Sequence, residues 1–410
     1  MHILRGFYSL ALTVTCCACL ATASVADTPV AADSNVGPNE TSAADQGPPN
    51  DASHQQGGQE VTVASSGGNY IDPVEAANNA VIGDKWCKAL LPNSCRIHVA
   101  AGIYILQQTI ELPPGVALAG DGMNETIITS SASPVIHARG SNISNLAAFG
   151  HETVVGSEST PWGLFLYRVR LQAEDFAGEP RVVLLRDMGG TTKIADSEVV
   201  AIRRSETPGS GGIVSDVEGS FRSGASLKIL GSHLVADNAA NTEIVGGPYI
   251  VAGLLVYNSS TVPFESIDIK DTSFTAPSAV MIQASARKPI MFNGGIIHGL
   301  MGGIAYSPLQ IVGTRVFGRV RWGSTSTVVL DGVSVVVPEK VASNTIAVAV
   351  DAQAGLPEAS LILTHSQVAG GVLAIFNNTF IPAQIDHSVL TQQSSPTCRV
   401  YGADGVPVVC

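Results

Sequence analysis

From about residue 96 onward, apolar and polar residues alternate in short runs broken by glycine, proline or a small polar pair. No helical period of comparable length competes with them. The first such run is Arg96-Ile97-His98-Val99-Ala100-Ala101-Gly102-Ile103-Tyr104, and a recurring core follows it. In that core an apolar-x-apolar strand meets a turn pair and then a second apolar pair. Examples are Leu227-Lys228-Ile229-Leu230-Gly231-Ser232-His233-Leu234, Ile267-Asp268-Ile269-Lys270-Asp271-Thr272-Ser273-Phe274 and Leu309-Gln310-Ile311-Val312-Gly313-Thr314-Arg315-Val316. Counted from the turn, Asp271, Gly294, Gly313 and Asp331 are 23, 19 and 18 residues apart. Between the cores lie second strands, such as Ala279-Val280-Met281-Ile282 and Thr345-Ile346-Ala347-Val348-Ala349-Val350.

A period near 20 residues with several strands in each repeat is the pattern of a solenoid. One coil cannot cover its own apolar face, but coils stacked ~4.8 Å apart pair their backbones and bury a continuous interior. About a dozen coils at that spacing would extend ~60 Å. Open strand edges at the ends of such a stack need caps. Asp72-Pro73-Val74-Glu75 supplies a helix N-cap, a first-turn proline and a Glu three residues on, so a short helix to about Ile82 is expected there. The expected fold is therefore all-β, a single-stranded right-handed parallel β-helix with a short N-terminal capping helix, spanning residues 60–410.

Composition agrees with strands and turns: 14% of residues are charged, 5% are aromatic and 42 are glycine. The net charge of −12 speaks against a nucleic-acid partner, which needs a basic face. It leaves neutral sugars open, and acidic ones if a local cationic patch meets them. Arg5, the apolar run Leu10–Leu20 and the small residues Ala21–Ala26 read as a signal peptide over residues 1–26. A lipid anchor on Cys19 is the alternative, and no later stretch reads as a membrane helix. Residues 27–59 hold almost no large apolar side chain and read as a flexible acidic linker. The expected location is secreted, periplasmic or cell-surface.

Three of the seven cysteines lie in the signal segment, which leaves Cys87, Cys95, Cys398 and Cys410. Four cysteines allow three connectivities. An oxidising compartment and the short spacings favour the local pairs, Cys87 with Cys95 and Cys398 with Cys410, over a metal site.

The segment Val99-Ala100-Ala101-Gly102-Ile103-Tyr104, followed by Leu112-Pro113-Pro114-Gly115-Val116-Ala117-Leu118-Ala119-Gly120-Asp121-Gly122, resembles the opening coils of the pectin-lyase-like superfamily. That resemblance implies the β-helix fold. It leaves activity open among lyases, hydrolases, epimerases, tailspikes, adhesins and inactive scaffolds. The Asn-Thr-Asp, Gly-Asp-Asp and Gly-His-Gly motifs of the polygalacturonan hydrolases are missing, as is the Asp-Pro-His-Asp of the epimerases. A calcium-dependent lyase of this kind implies an acidic cluster around the cation and an Arg poised as base.

The candidate chemistry consists of constellations. Asp196 with Glu198, and Asp216 with Glu218, each put two carboxylates at i, i+2 on one side of a strand. If their coils are neighbours, the four acids would converge on Ca2+ or form an acid–base pair. Arg203, Arg204 and Arg222 lie close by in sequence, where surface ion pairs are the plainer reading. Arg319-Val320-Arg321-Trp322 puts two guanidiniums and an indole together, with Arg315 and Tyr306 near them. These would make a basic, aromatic-edged groove for an acidic glycan. His365 and His387 occupy the turn position, a structural role, and Asn142, Asn145, Asn238, Asn293 and Asn377 are expected to stack at coil corners. His151-Glu152 is a further acid–base candidate. The functional expectation is a protein that binds, and if enzymatic cleaves by β-elimination, an acidic polysaccharide. A non-catalytic surface adhesin or scaffold is the rival.

Overall fold

A computed structural model describes residues 59–65, 68–80, 87, 95–175, 179–204, 213–238, 250–258, 261–338, 346–352, 359–370, 373–379, 381, 383–391, 399–401 and 407–409. These belong to one compact unit, Gln55–Cys410. The expected signal peptide, almost all of the linker, and Cys398 and Cys410 lie outside the described residues.

Among the described residues, thirty-two strands join in one hydrogen-bonded system in which every strand pairing is parallel; a short antiparallel pair, Arg399–Tyr401 with Pro407–Val409, forms a separate sheet. The chain is a right-handed parallel β-helix, as its periodicity implied. Each coil contributes strands to three walls. One coil shows the order: Thr191–Ala195 in the first wall, Glu198–Arg203 in the second and Ile213–Phe221 in the third. The next coil repeats it with Ser226–Leu230, His233–Asn238 and Ile250–Tyr257, each paired in register with its predecessor.

The walls exist because side chains alternate. In Thr327–Asp331, for example, Val328 and Leu330 are buried while Thr327, Val329 and Asp331 are partly exposed. Inward residues such as Leu227, Ile267, Ile290, Leu309, Val328 and Leu361 follow one another from coil to coil and fill the interior.

The corner between the first and second walls is built from single residues in the left-handed region. Asp196 (φ 49°), Gly231 (54°), Asp271 (49°), Gly294 (70°), Gly313 (59°), Gly332 (62°), His365 (48°) and His387 (47°) form that column. The turn role read for His365 and His387 is thus what the backbone shows, and their rings stack 5.5 Å apart. The last of the expected turn positions is Gly332 rather than Asp331, which ends its strand. Beside this column the hydroxyls of Ser197, Ser232, Thr272, Thr314, Ser366 and Ser388 each donate to the carbonyl two residues back. Asn145 (φ 53°) is a corner residue of the same column, aligned through Arg168 (φ 50°) with Asp196, but beyond it the hydroxyl ladder stands in place of the expected asparagine stack. Asn142 and Asn293 lie in first-wall strands and Asn377 in a third-wall strand, so they share no corner.

The capping helix spans Pro73–Asn79, and the Asp72 carboxylate accepts from the Glu75 N–H at 2.8 Å. It buries Pro73, Ala76 and Ala77 against the strands Cys95–Val99 and Ile110–Leu112. Nearby, Cys87 and Cys95 form the expected disulfide, and both residues are fully buried.

Candidate functional site

The strand Arg315–Ser324 carries the site. Its burial alternates through its first eight residues, with Val316, Gly318, Val320 and Trp322 inward and Arg315, Phe317, Arg319 and Arg321 outward. It also turns a corner. Arg315–Phe317 pair with Ser334–Val336 in the second wall, whereas Val320–Ser324 pair with Val348–Ala352 in the third. Gly318 sits at that corner above Gly299 of the preceding coil. A Cβ on Gly318 would stand 2.0 Å from the Gly299 carbonyl oxygen, and one on Gly299 would stand 1.8 Å from that of Ala276. In these two coils one glycine is the whole connection between walls, so the basic row passes from one to the other without a break.

The expectation of two guanidiniums on one strand face holds for Arg319 and Arg321. Trp322 requires correction as a sugar-stacking residue: its indole is 0% exposed and belongs to the core, because consecutive strand residues point to opposite sides. The outward aromatic on this strand is Phe317, whose ring lies 4.9 Å from that of His298 at an interplanar angle of 11°. Tyr306 is half-buried, and its hydroxyl accepts from the Gln283 amide at 3.3 Å. Arg315 is exposed but stands on the second wall, so it flanks the Arg319–Arg321 pair from around the corner.

Among the described residues none of Arg315, Arg319 and Arg321 makes a salt bridge, whereas Arg170, Arg181, Arg204, Arg222 and Arg287 each hold a carboxylate. Arg319 is half-buried, and its burial together with the adjacent Arg321 lowers its pKa from the ordinary arginine range. Two neighbouring cations with no acid between them repel, and an anion placed between them relieves that repulsion.

The four acids do not converge. Asp196 is the left-handed corner residue, so alternation does not carry from it to Glu198. Glu198 faces outward on the second wall and bonds Arg170 at 2.6 Å. Asp216 is 0% exposed; its Oδ1 accepts from the Ala201 N–H at 2.8 Å, Oδ2 has no partner, and burial pushes its carboxyl well above the usual range. Glu218 is on the third wall with Oε2 3.4 Å from the Arg181 Nε, and burial raises its carboxyl despite that arginine. Three of these acids therefore lie in different parts of one coil and the fourth is enclosed. Among the described residues no group of three or more His, Cys, Asp or Glu side chains could hold a metal ion. These residues do not fit the expected Ca2+ site.

The remaining candidates have local partners. Arg204 bonds Glu174 at 2.8 Å and Arg222 bonds Asp187 at 2.6 Å, both at the surface. His151 reaches the Glu174 carbonyl at 3.4 Å rather than Glu152. Sequence reasoning passed over Phe317 and Tyr257. Phe317 stands at i+2 from Arg315 and at i−2 from Arg319, so parity alone marked it as outward. Tyr257 ends a continuous apolar run, Ile250–Tyr257, in which no alternation distinguishes it.

No family model matches the chain, and no curated sequence matches it. Among solved structures, it is similar to the catalytic domain of a GH87 α-1,3-glucanase in complex with tetrasaccharides. The identity is 13%, the match covers 86% of this chain and 68% of that one, and the TM-score is 0.37. No helix among the described residues is long and apolar enough to cross a membrane.

Proposed function

We propose that the protein is a secreted or surface β-helix of pectin-lyase-like type that binds an acidic polysaccharide on its third wall. The observation that carries this reading is the Arg319–Arg321 pair: two guanidiniums on one strand face, one of them half-buried, with no carboxylate partner among the described residues. A planar carboxylate at regular intervals along a chain is the anion that guanidinium forks match best. The Cys87–Cys95 disulfide fits an oxidising compartment.

The scatter of the four acids favours a binding module over a calcium-dependent lyase. One observation keeps a metal-free lyase as a second reading. Arg319 and Arg321 stand two residues apart on one outward strand face, so one would meet the C5 proton while the other neutralises the uronate carboxylate. In that reaction the base takes the C5 proton, the electron pair forms the C4–C5 double bond, and the C4–O bond breaks.

The test is isothermal titration of the full chain with polygalacturonate, alginate and a neutral glucan, alongside ultraviolet absorbance for unsaturated ends with and without calcium. Binding to the uronates alone, lost in Arg319→Ala and Arg321→Ala, supports the reading. Equal binding to the neutral glucan, or uronate binding that survives both substitutions, overturns it. An absorbance rise abolished by Arg319→Ala would assign the lyase activity.

A further inference from the structure

We propose that Ser273 and His233, with Glu198 behind them, form a nucleophilic site on the second wall that cleaves small O-acyl esters. The site goes beyond the binding reading above: it lies on another wall and uses neither Arg319 nor Arg321.

Register lines the residues up. Arg170 pairs with Glu198, Glu198 with His233 and His233 with Ser273, so consecutive coils set them in one outward column. Neighbouring rungs stand ~4.8 Å apart, a spacing at which one side chain reaches the next. The Ser273 hydroxyl and the His233 Nδ1 are hydrogen-bonded to each other. At the other end the Arg170 Nε holds Glu198 Oε2 at 2.6 Å, and its Nη1 bonds the Asn124 Oδ1 at 3.1 Å. The carboxylate is thereby fixed on the rung before His233, on the side away from Ser273. His233 is exposed and Ser273 half-buried, so both can be reached from solvent. Beyond Ser273 the column continues with Ile296 and then Arg315. Ile296 is 36% exposed, and Arg315 is exposed with no salt bridge among the described residues.

A serine hydroxyl is a weak nucleophile until a neighbouring base takes its proton. With its own proton on Nε2, His233 presents the Nδ1 lone pair to the Ser273 hydroxyl. Ser273 Oγ then attacks the ester carbonyl carbon while its proton passes to Nδ1. The C–O bond to the alcohol breaks, and the alcohol oxygen takes that proton. Water next attacks the acyl-serine carbon and yields a proton to Nδ1, and Oγ recovers it as the carboxylic acid departs. Glu198 is a positioning residue: its negative charge, one rung away, favours the imidazolium that forms in both steps. Arg315 supplies a cation on the far side of Ser273, where negative charge develops on the carbonyl oxygen. Ile296, the single apolar side chain between Ser273 and Arg315, offers contact to an acyl group of acetyl size.

The test is labelling of the full chain with a fluorophosphonate, located by peptide mass spectrometry, alongside hydrolysis of p-nitrophenyl acetate. Ser273 should carry the label, and Ser273→Ala should lose both label and turnover. His233→Gln should slow both by about 10²-fold or more. Glu198→Gln should lower kcat with KM unchanged, and Glu198→Asp should restore part of the loss. Circular dichroism and a thermal melt confirm that each variant is folded. Ser334 stands on the same column between Arg315 and Gln367, with no histidine on either side, and should stay unlabelled. Labelling of Ser334 as fast as Ser273, no label at Ser273, or a Ser273 label undiminished in His233→Gln would each overturn the proposal. The uronate anchor on the third wall stands or falls separately, by its own titration.

Discussion

Arg321 and Trp322 are adjacent in the chain and point to opposite sides of the same wall, the guanidinium into solvent and the indole into the core. Their substitutions should therefore separate cleanly. Trp322→Ala empties a large core volume and should cost ~3–5 kcal/mol of stability. Trp322→Phe should cost less, because it also removes an indole N–H that has no partner inside. Arg321→Ala should change stability by no more than ~0.5 kcal/mol while abolishing uronate binding. Denaturant melts and calorimetry on the three variants check this. A stable Trp322→Ala that loses only binding would place the indole at the ligand after all.

The corner column was legible because a left-handed residue leaves a chemical trace. Asp271, Gly294 and Gly313 could be picked out as turns since few side chains tolerate that φ. The outward pair Arg319 and Arg321 was legible from alternation, and the same rule, applied one residue further, would have turned Trp322 inward and Phe317 outward. The acids were not legible. Asp196 interrupts the alternation it was read by, since it is itself a corner. Glu198 and Glu218 sit in one coil but on different walls, and the sequence of the nine residues 204–212 between their strands carries no pattern that assigns the walls. Wall assignment depends on the bend between strands. Periodicity within a strand does not contain it.

Gly299 and Gly313 both have positive φ, yet they should respond differently to a side chain. A Cβ on Gly299 would collide with the Ala276 carbonyl, whereas nothing lies within 4 Å of one on Gly313. The Gly313 column already accepts Asp196, Asp271 and His365 at nearly the same φ. Gly313→Asn should thus cost about 1 kcal/mol or less. Gly299→Ala, at φ 129°, should cost on the order of 3 kcal/mol and disturb the row from Phe317 to Arg321. Thermal melts decide between them, and equal losses would refute the distinction.

The Cys87–Cys95 bond closes a short loop, with a sequence separation of 8, close to the capping helix. Loop-closure entropy for a ring of this size is worth ~2.5 kcal/mol. Replacing both cysteines with serine should lower stability by about that amount and also bury two hydroxyls where sulfurs packed. The loss should appear first at the cap. Amide exchange would then quicken in Cys95–Val99 and Ile110–Leu112 while the strand Arg315–Ser324 keeps its protection. Uniform loss of protection would instead mean that the coils unfold as one unit.

Asp216 gives the chain a pH dependence with a definite sign. Its carboxyl is fully enclosed, accepts one bond from Ala201 and has its titration raised by burial. The unfolded chain releases this proton near pH ~4, while the folded one holds it. Between those two points the native state binds more protons than the unfolded state, so stability is full at low pH and declines as pH rises towards the folded pKa. Asparagine keeps the acceptor for the Ala201 N–H and cannot ionise. Asp216→Asn should therefore be more stable than the parent at pH 7, with the advantage shrinking as pH approaches 4. Asp216→Ala should instead lose ~1–3 kcal/mol, since the Ala201 N–H is left without that acceptor. Denaturant midpoints for the three proteins across pH 4–8 give the answer. A parent whose stability climbs relative to Asp216→Asn as pH rises would mean that Asp216 is ionised in the fold and paired with a cation.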